Sequence, residues 1–308
     1  MARIVITEFM DENAVMRLSE VHDVTYDPLL VDNLTLLIKQ ITHADALIVR
    51  NRTQVNSELI EAMPKCRVVG RLGVGLDNID SIECGLRSIK VIPANGANAL
   101  SVAEYVVTTA LLLLRGSYLS SNLVAQGHWP RNALSKGREI QGKTIGLIGF
   151  GSIGQLTAKL AKNLGMKVVA FDKEMTASDP VFDELKVSFV ELDALLAMSD
   201  VVSLHIPLLP STKGLFDAKR LSLMKRNSIL INTSRGGIID ELALAAALRE
   251  TRLGGAALDV FDIEPLLSST HFMDCPNLVL TPHIAGVTEE SNIRVSSLIA
   301  DKVLEALQ

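Results

Sequence analysis

Residues 141–172 contain, in this order, an apolar run, a glycine-rich turn, a stretch with helical spacing and a second apolar run. The turn has the pattern G-x-G-x-x-G, formed by Gly149, Gly151 and Gly154. The first glycine permits a tight turn, the second lets backbone N–H groups approach a pyrophosphate, and the third lets a helix pack closely on the strand. The segment predicts a strand–helix–strand unit of a parallel sheet. This unit begins in the middle of the chain.

The second apolar run ends in an acidic residue. Asp172 lies 18 residues after Gly154, near the spacing at which a carboxylate hydrogen-bonds the ribose hydroxyls of an adenine dinucleotide. A carboxylate there repels a 2′-phosphate, so the pattern favours NAD over NADP. A glycine turn alone can serve packing, but the turn, both strands and Asp172 in register predict NAD binding.

Composition limits the class of protein. The 308 residues are 48% hydrophobic and 21% charged, which suits one large or two medium domains. The formal net charge is −5 without a block of like charges, so neither nucleic acid nor a membrane surface is an expected partner. Three scattered cysteines predict no disulfide framework and no metal site. With no signal-peptide pattern at the start, we expect a cytoplasmic protein.

Short β-branched runs alternate with helical stretches on both sides of the glycine turn. They lie at 3–7, 46–50, 67–70, 90–93, 201–207, 228–234, 255–261 and 277–283. This alternation predicts the α/β class with two doubly wound parallel sheets.

A break in the alternation near residues 94–99 marks a domain boundary. A helix is predicted over Ser101–Arg115, with Ser101 and Glu104 as a capping box. The final segment, Glu289–Leu307, has helical spacing, and we expect it to return to the first domain. The prediction is therefore a Rossmann NAD-binding domain, 99–286, inserted into a discontinuous flavodoxin-like substrate domain, 1–98 and 287–308.

Polar residues at the carboxyl ends of the strands are the candidates for chemistry, because ligands of open parallel sheets bind there. Arg235 follows one strand, Asp259 and Glu264 follow another, and His283 follows the last. A guanidinium can hold a carboxylate through two parallel hydrogen bonds, which suits Arg235 to a carboxylic acid. An imidazole such as that of His283 can exchange a proton with a hydroxyl while hydride moves to or from nicotinamide. Glu264 would orient that ring.

Each of these residues alone has an ordinary explanation, such as a surface charge, a solvated loop residue or a structural histidine. Their common position at the strand ends of one predicted nucleotide domain favours a functional role. Of the other polar groups, His205 is predicted to be either a satisfied core group or a residue beside the cofactor.

The chain resembles the D-isomer-specific 2-hydroxyacid dehydrogenases over nearly its whole length. The segments that carry the resemblance are VVGRLGVGLDNID (68–80), ANALSVAEYV (97–106), GKTIGLIGFGSIG (142–154), HIPLLPSTKGLF (205–216), INTSRGGIID (231–240), AALDVFDIEP (256–265) and TPHIAGVT (281–288).

The resemblance implies a role for individual residues. Arg235 would bind the substrate carboxylate and ketone, His283 would be the acid/base and Glu264 its partner. Backbone amides near Val74 and Gly75 would help to hold the carboxylate. The resemblance implies that NAD is contacted by Ser152, Ile153, Asp172, Thr233, Ser234 and Asp259. With Gly149, Gly151 and Gly154 of the turn, and with Arg235, these are the predicted cofactor-binding residues. A homodimer built on the nucleotide domains, with the 101–115 helix at its interface, is also implied.

Three arginines bear on the substrate. Arg50, Arg52 and Arg71 follow strands of the first domain, across a predicted cleft from the hydride site. They would suit a second anion on a small hydroxy or keto acid, such as a phosphate or a sulfonate, whereas a methyl side chain needs an apolar pocket. The alternative is that one or two of them are exposed or paired with carboxylates.

Segments 6–15, 50–55 and 115–121 resemble the (S)-sulfolactate dehydrogenases of the family more than its serine-pathway members. The favoured prediction is therefore conversion of (S)-3-sulfolactate to 3-sulfopyruvate. The alternatives are a 3-phosphoglycerate dehydrogenase, a hydroxypyruvate or glyoxylate reductase, and a non-enzymatic NAD-sensing protein that resembles the corepressors of this family.

Overall fold

Strands and helices alternate along the chain and belong to two separate units. In the computed structural model, which describes residues 1–268 and 271–308, unit 1 comprises Met1–Asn98 and Val287–Gln308, and unit 2 comprises Ala99–Gly286. In chain order, unit 2 is thus an insertion into unit 1.

The strands are β1 (Arg3–Ile6), β2 (Asp23–Tyr26), β3 (Ala46–Val49), β4 (Val68–Arg71), β5 (Lys90–Pro93), β6 (Thr144–Ile148), β7 (Lys167–Phe171), β8 (Ser188–Phe189), β9 (Val201–Leu204), β10 (Ile229–Asn232), β11 (Gly255–Leu258) and β12 (Leu278–Leu280). The helices are α1 (Glu12–Ser19), α2 (Leu34–Ile41), α3 (Ser57–Glu61), α4 (Ser81–Leu86), α5 (Ala99–Arg115), α6 (Ser121–Ala125), α7 (Ser152–Asn163), α8 (Pro180–Leu185), α9 (Leu192–Met198), α10 (Ala218–Leu223), α11 (Glu241–Arg249) and α12 (Glu289–Leu307). Short 3₁₀ turns lie at Leu30–Asp32 and Ser117–Ser120.

Unit 1 is built on a five-stranded parallel sheet with the order β2-β1-β3-β4-β5. Successive residues of a strand point to opposite faces, so Ile4 and Ile6 pack against α1 and α12, whereas Val5 packs against α2, α3 and α4. The strand order reverses between β1 and β3, as in flavodoxin-like folds, and ligands of such sheets bind at this reversal.

Helix α12 completes the core of unit 1. Its N-terminus has a capping box in which Thr288 and Ser291 exchange side-chain and backbone hydrogen bonds. Ile299 and Val303 are fully buried on β4, where a Cβ on Gly70 would lie 2.8 Å from Cγ2 of Ile299. Gly70 therefore lets the last helix lie directly on the sheet.

Unit 2 is built on a seven-stranded parallel sheet with the order β12-β11-β10-β9-β6-β7-β8. Helices α5 and α7 contribute to the core on one face, and α9, α10 and α11 to the core on the other. The order reverses between β6 and β9, so the glycine turn after β6 lies at the reversal of this sheet. The predicted α/β class with two parallel sheets is confirmed.

Local details differ from the prediction. The capping box at Ser101 is wrong, because α5 begins at Ala99 and Ser101 is a buried residue within its first turn. Strands β2 and β8 were not predicted, since both are edge strands whose residues are mostly half-buried or exposed.

Within the described ranges, no single helix has the length and hydropathy needed to cross a membrane. The consecutive helical segments Ala99–Arg115 and Ser117–Ala125 satisfy those two criteria only when taken together, and they are bent by 58° relative to each other.

We expect Ile299→Ala to lower the free energy of unfolding of unit 1 by about 2–5 kcal/mol, because it removes a fully buried side chain between α12 and β4. The matched control is Ile293→Ala on the same helix, where the side chain is 50% exposed and the expected change is within about 0.5 kcal/mol. Urea unfolding followed by circular dichroism measures both. Equal losses in the two variants would contradict the packing described for α12.

Candidate active site

The turn after β6 has a geometry that its glycines permit. Gly149 has a φ of +93°, and a Cβ there would lie 2.3 Å from the carbonyl oxygen of His205. A Cβ on Gly154 would lie 2.4 Å from the carbonyl oxygen of Gly149, so this third glycine lets α7 start directly against the turn. A Cβ on Gly151 would have no described atom within 4 Å, so space for a ligand remains beside it.

The start of α7 is suited to an anion. Gly151 is its N-cap residue and offers no side-chain hydrogen bond to the first N–H groups of the helix. Those groups, which include the amides of Ser152 and Ile153, carry the partial positive charge of the helix N-terminus. A glycine cradle before an uncapped helix start fits a dinucleotide pyrophosphate.

Asp172 directly follows β7 and holds the glycine turn in place. Its Oδ2 accepts a hydrogen bond from the amide of Phe150 at 2.7 Å, and its Oδ1 accepts one from the amide of Glu174 at 3.0 Å. The carboxylate is therefore fixed at the carboxyl edge beside the glycine turn, the position required of a ribose-binding acidic residue.

Buried polar atoms without partners lie at the same edge of the sheet. Within residues 1–268 and 271–308, neither ring nitrogen of His205 has a hydrogen-bond partner, and the same is true of Oγ1 of Thr233. Burial lowers the pKa of His205 to about 4, so its ring is neutral at pH 7. Buried polar atoms are rarely left unpaired, so the ring is not a satisfied core group, and its position beside a cofactor stays a prediction.

Ser234 continues this edge after Thr233. Its hydroxyl donates to the carbonyl of Leu204 at 2.6 Å, and its amide donates to Oδ1 of Asn232 at 3.0 Å. These bonds fix the backbone that follows β10. Together, the glycine cradle, Asp172 and the unpaired groups fit a bound NAD.

His283 and Glu264 are in direct contact. Nδ1 of His283 lies 2.7 Å from Oε2 of Glu264, and Oε1 of Glu264 accepts a hydrogen bond from the amide of Phe261 at 3.0 Å. An ionised carboxylate only accepts, so the proton they share is on Nδ1 and Nε2 is the nitrogen that can exchange a proton with a substrate. The histidine side chain is 41% exposed, which leaves it accessible.

Asp259 fixes the loop that carries His283. It is 1% exposed, and its carboxylate accepts hydrogen bonds from the amides of Ile284 and Ala285, both at 2.8 Å. It also accepts a hydrogen bond from the hydroxyl of Thr281 at 2.6 Å. His283 itself has a φ of +57°, which is uncommon for a residue with a side chain, and these flanking bonds hold it there.

The hydrogen-bond chain continues to helix α5. The hydroxyls of Tyr105 and Thr281 lie 2.6 Å apart, and because that of Thr281 donates to Asp259, that of Tyr105 donates to Thr281. The loop of His283 is thus tied to the core of unit 2.

Arg235 follows β10 in a loop with a defined backbone. Its Nη1 donates to the carbonyl of Ser234 at 2.6 Å, and its own carbonyl accepts from Nδ2 of Asn232 at 2.9 Å. The residue therefore lies at the carboxyl edge of the sheet, as predicted from the sequence.

The loop of Arg235 lies against the segment that carries Glu264. A Cβ on Gly236 would lie 1.8 Å from the carbonyl oxygen of Phe261, and the amide of Gly237 donates to Oδ1 of Asp262 at 2.5 Å. Only glycine fits at position 236 without moving backbone. The structure thus brings the predicted catalytic residues of unit 2 onto neighbouring loops.

Unit 1 contains the three predicted substrate arginines, which differ in their exposure and in their partners. Arg52 is exposed and forms an ion pair with Asp32, which raises its pKa. Arg50 is half-buried, and its Nη2 donates to Oδ1 of Asn292 at 2.8 Å. Arg52 therefore fits the alternative of a paired surface charge, whereas Arg50 does not.

Arg71 is the last residue of β4, and its side chain turns back onto the following loop. Its Nε donates to the carbonyl of Gly75 at 3.0 Å and its Nη1 to that of Leu72 at 2.9 Å. The guanidinium thus shapes the loop that holds Val74 and Gly75, whose amides were predicted to bind a carboxylate.

Glu8, Thr281 and Tyr105 were missed by the sequence reasoning. Glu8 follows β1 closely and is 4% exposed, so the rule that selected the other strand-end residues could have found it. Tyr105 has no local signal, because its role depends on packing between α5 and a loop 176 residues away. In the described part of the chain, no group of three or more His, Cys, Asp or Glu side chains is arranged to hold a metal ion.

Residues 107–285 match the family model described as D-isomer specific 2-hydroxyacid dehydrogenase, NAD binding domain. The chain belongs to this family. The dehydrogenase is therefore an oxidoreductase with NAD as its cofactor, and both predictions are confirmed.

Known proteins resemble this dehydrogenase over its full length. It is 50% identical over 307 residues to an (S)-sulfolactate dehydrogenase of Chromohalobacter salexigens, covering 100% of this chain and 99% of the relative. It is 37% identical over 309 residues to a hydroxypyruvate reductase of Thermotoga maritima, covering 99% and 98%. It is 35% identical over 311 residues to a D-3-phosphoglycerate dehydrogenase of Methanocaldococcus jannaschii, covering 100% of this chain but 58% of that protein.

A solved structure supports the fold. The TT0316 protein of Thermus thermophilus superposes with a TM-score of 0.90 at 32% identity, covering 99% of this dehydrogenase and 96% of that chain.

We expect Asp172→Asn to weaken NADH binding about tenfold and to improve NADPH binding, because the variant would lose the charge that is predicted to bind ribose hydroxyls and to repel a 2′-phosphate. The amide oxygen can still accept from Phe150 of the glycine turn, while the bond from the amide of Glu174 is lost. Fluorescence titration with each cofactor measures the two dissociation constants. Asp193→Asn, an exposed carboxylate on α9, is the control and should change neither. Unaltered discrimination between NADH and NADPH in Asp172→Asn would contradict the role predicted for this carboxylate.

Proposed function

We propose that this dehydrogenase interconverts a D-type 2-hydroxy acid with a second anionic group and its 2-keto acid, with (S)-3-sulfolactate and 3-sulfopyruvate as the substrate pair. The observation that carries the proposal is Arg50, a half-buried guanidinium at the carboxyl edge of unit 1. Within the described residues it has no carboxylate at ion-pair distance. Similarity to the C. salexigens (S)-sulfolactate dehydrogenase supports the sulfonate.

In the proposed mechanism, Arg235 binds the carboxylate of the substrate and polarises its 2-oxygen through N–H donors. Nε2 of His283 takes the proton of the 2-hydroxyl during oxidation and returns it to the carbonyl oxygen during reduction. When bound, NAD would accept the hydride from C2 of the hydroxy acid, and NADH would return it to the keto acid. Glu264 keeps the proton of the neutral ring on Nδ1 and stabilises the imidazolium that forms.

The roles of the remaining residues are part of the same proposal. Unit 2 binds NAD through the glycine turn, Asp172, Thr233 and Ser234, with Asp259 near the carboxamide and fixing the loop of His283. Unit 1 is the substrate domain, in which the amides of Val74 and Gly75 bind the substrate carboxylate.

We also propose a cytoplasmic homodimer built on unit 2. Apolar side chains that follow α5, namely Leu119, Val124 and the 78%-exposed Trp129, support an interface there. The three free thiols, two of them buried, support a reducing compartment. A solution mass of one 33.3 kDa chain would contradict the dimer, and recovery of the native protein from a periplasmic or secreted fraction would contradict the location.

The alternatives differ in the substrate side chain. A phosphate would engage the same arginine as a sulfonate, as expected for a D-3-phosphoglycerate dehydrogenase. The similarity to a hydroxypyruvate reductase favours an uncharged hydroxymethyl group instead. An uncharged group does not account for an arginine held at the substrate edge without a carboxylate partner.

The test is the rate of NADH formation with (S)-3-sulfolactate, D-3-phosphoglycerate, D-glycerate and D-lactate under identical conditions. We expect kcat/KM for sulfolactate to exceed that for D-glycerate by at least about tenfold, because a charge-assisted contact contributes about 1.5–3 kcal/mol. Phosphoglycerate as the best substrate would replace the sulfonate with a phosphate. D-glycerate or D-lactate as the best substrate would reject a dianionic substrate.

A further inference from the structure

We propose that Asn292 is a specificity-determining positioning residue, which holds the guanidinium of Arg50 on the distal anion of the substrate without neutralising it. This inference rests on the proposed function, since it concerns the second anionic group of that substrate. It assigns a role to a residue of the last helix, α12, which begins more than two hundred residues after Arg50.

The backbone around Arg50 is fixed by hydrogen bonds with the side chains of Glu8 and Asn78. Oε1 of the buried Glu8 accepts hydrogen bonds from the amides of Arg50 and Thr53 at 2.9 and 3.0 Å, and Oε2 accepts one from the amide of Arg52 at 3.0 Å. Nδ2 of Asn78 donates to the carbonyls of Arg50 and Thr53 at 3.2 and 2.7 Å. Both the backbone N–H groups and the backbone carbonyls of this loop therefore have side-chain partners.

This loop lies at the point of unit 1 where a ligand is expected. Glu8 follows β1 and Arg50 follows β3, and these are the two neighbouring strands between which the strand order reverses. In open parallel sheets, the crevice outside the carboxyl ends at this reversal is the ligand site. Arg50, which directly follows β3, is the cationic residue at this expected ligand site.

The side chain of Arg50 is oriented by a neutral acceptor. Its Nη2 donates to Oδ1 of Asn292 at 2.8 Å, and its guanidinium carbon lies 5.8 Å from the ring centre of Phe9. Burial lowers the pKa of Arg50, and the negative charge of the nearby Glu8 partly offsets this. Both carboxylate oxygens of Glu8 accept hydrogen bonds from backbone amides, and the carboxylate forms no direct ion pair with Arg50 in the described residues. A guanidinium stays charged in proteins, so a partly desolvated positive charge is held there.

A neutral acceptor at position 292 has a physical consequence. Asn292 uses one of five guanidinium N–H donors and adds no negative charge, so an arriving sulfonate meets a guanidinium that is oriented but not directly ion-paired. Arginine has no acceptor, so the oxygen of the amide must face it, and within the described ranges Nδ2 of Asn292 makes no hydrogen bond. A carboxylate here would instead form an ion pair with Arg50 and compete with the substrate anion.

The neighbouring arginines illustrate the contrast. Arg52 is paired with Asp32, and Arg71 donates to the carbonyls of its own loop. Both guanidinium groups therefore bind groups of the protein itself. Arg50, with its neutral partner, is the arginine whose charge remains for the second anionic group.

The experiment compares Asn292→Asp with wild type in the full-length enzyme, using (S)-3-sulfolactate and D-glycerate. These substrates differ only in a sulfonate against a hydroxyl on the third carbon. We expect kcat/KM for sulfolactate to fall about 10- to 100-fold, mainly through KM, because the new carboxylate neutralises Arg50 and repels the sulfonate. For D-glycerate, kcat/KM should change less than about threefold.

Ile293→Asp is the matched control, because it adds the same charge at the next position of α12 on a side chain that is 50% exposed. Its ratio of the two kcat/KM values should stay within about twofold of wild type. Thermal denaturation and the NADH dissociation constant show whether each variant is folded, and they should match wild type in both.

The outcomes separate this inference from the proposed function. A first outcome is that wild type prefers sulfolactate while Asn292→Asp lowers kcat/KM equally for both substrates or for neither. In that case Asn292 has only a structural role or none, and this inference alone is overturned. If wild type prefers D-glycerate, the proposed dianionic substrate and the role of Asn292 fail together. If Asn292→Asp does not fold, Asn292→Ser, which keeps a neutral hydroxyl acceptor, must keep a sulfolactate preference within about fivefold of wild type, and loss of that preference beyond fivefold would overturn the inference.

Discussion

Parallel pairing of the strands is the constraint on which the rest of this molecule depends. All strands of each sheet end at one edge, so loops that are far apart in sequence come together there. Backbone groups at such an edge no longer have strand partners and need other ones. In this chain, carboxylates at the strand ends supply acceptors for them.

Three residues share this role. Glu8 accepts from the amides of the Arg50 loop, Asp172 from the glycine turn, and Asp259 from the loop of His283. In each case one strand ends in a carboxylate that fixes a loop belonging to another strand. Each carboxylate thereby holds a loop for which we propose a ligand contact or a proton transfer, which links the fold directly to the proposed chemistry.

Much of this arrangement could be predicted from the sequence. The short apolar, β-branched runs located ten of the twelve strands in the described residues, and helix α12 was predicted with the same bounds because its spacing is regular. The strand-end rule selected Arg235, Glu264 and His283, which the structure places on neighbouring loops. What could not be predicted depends on long-range contacts: the pairing of Arg52 with Asp32, the bond between Tyr105 and Thr281, and the contact of Arg50 with Asn292. No local pattern encodes these, because each partner lies on a separate element.

We propose that His283, held by Glu264 and Asp259, moves the proton of the reaction. The most direct measurement is the turnover of His283→Ala, made alongside the NADH dissociation constant and with His128→Ala, an exposed histidine of the same unit, as control. We expect kcat to fall about 10²- to 10⁴-fold in His283→Ala, whereas the NADH dissociation constant changes less than about twofold and His128→Ala matches wild type. Turnover near that of wild type in His283→Ala would contradict the account.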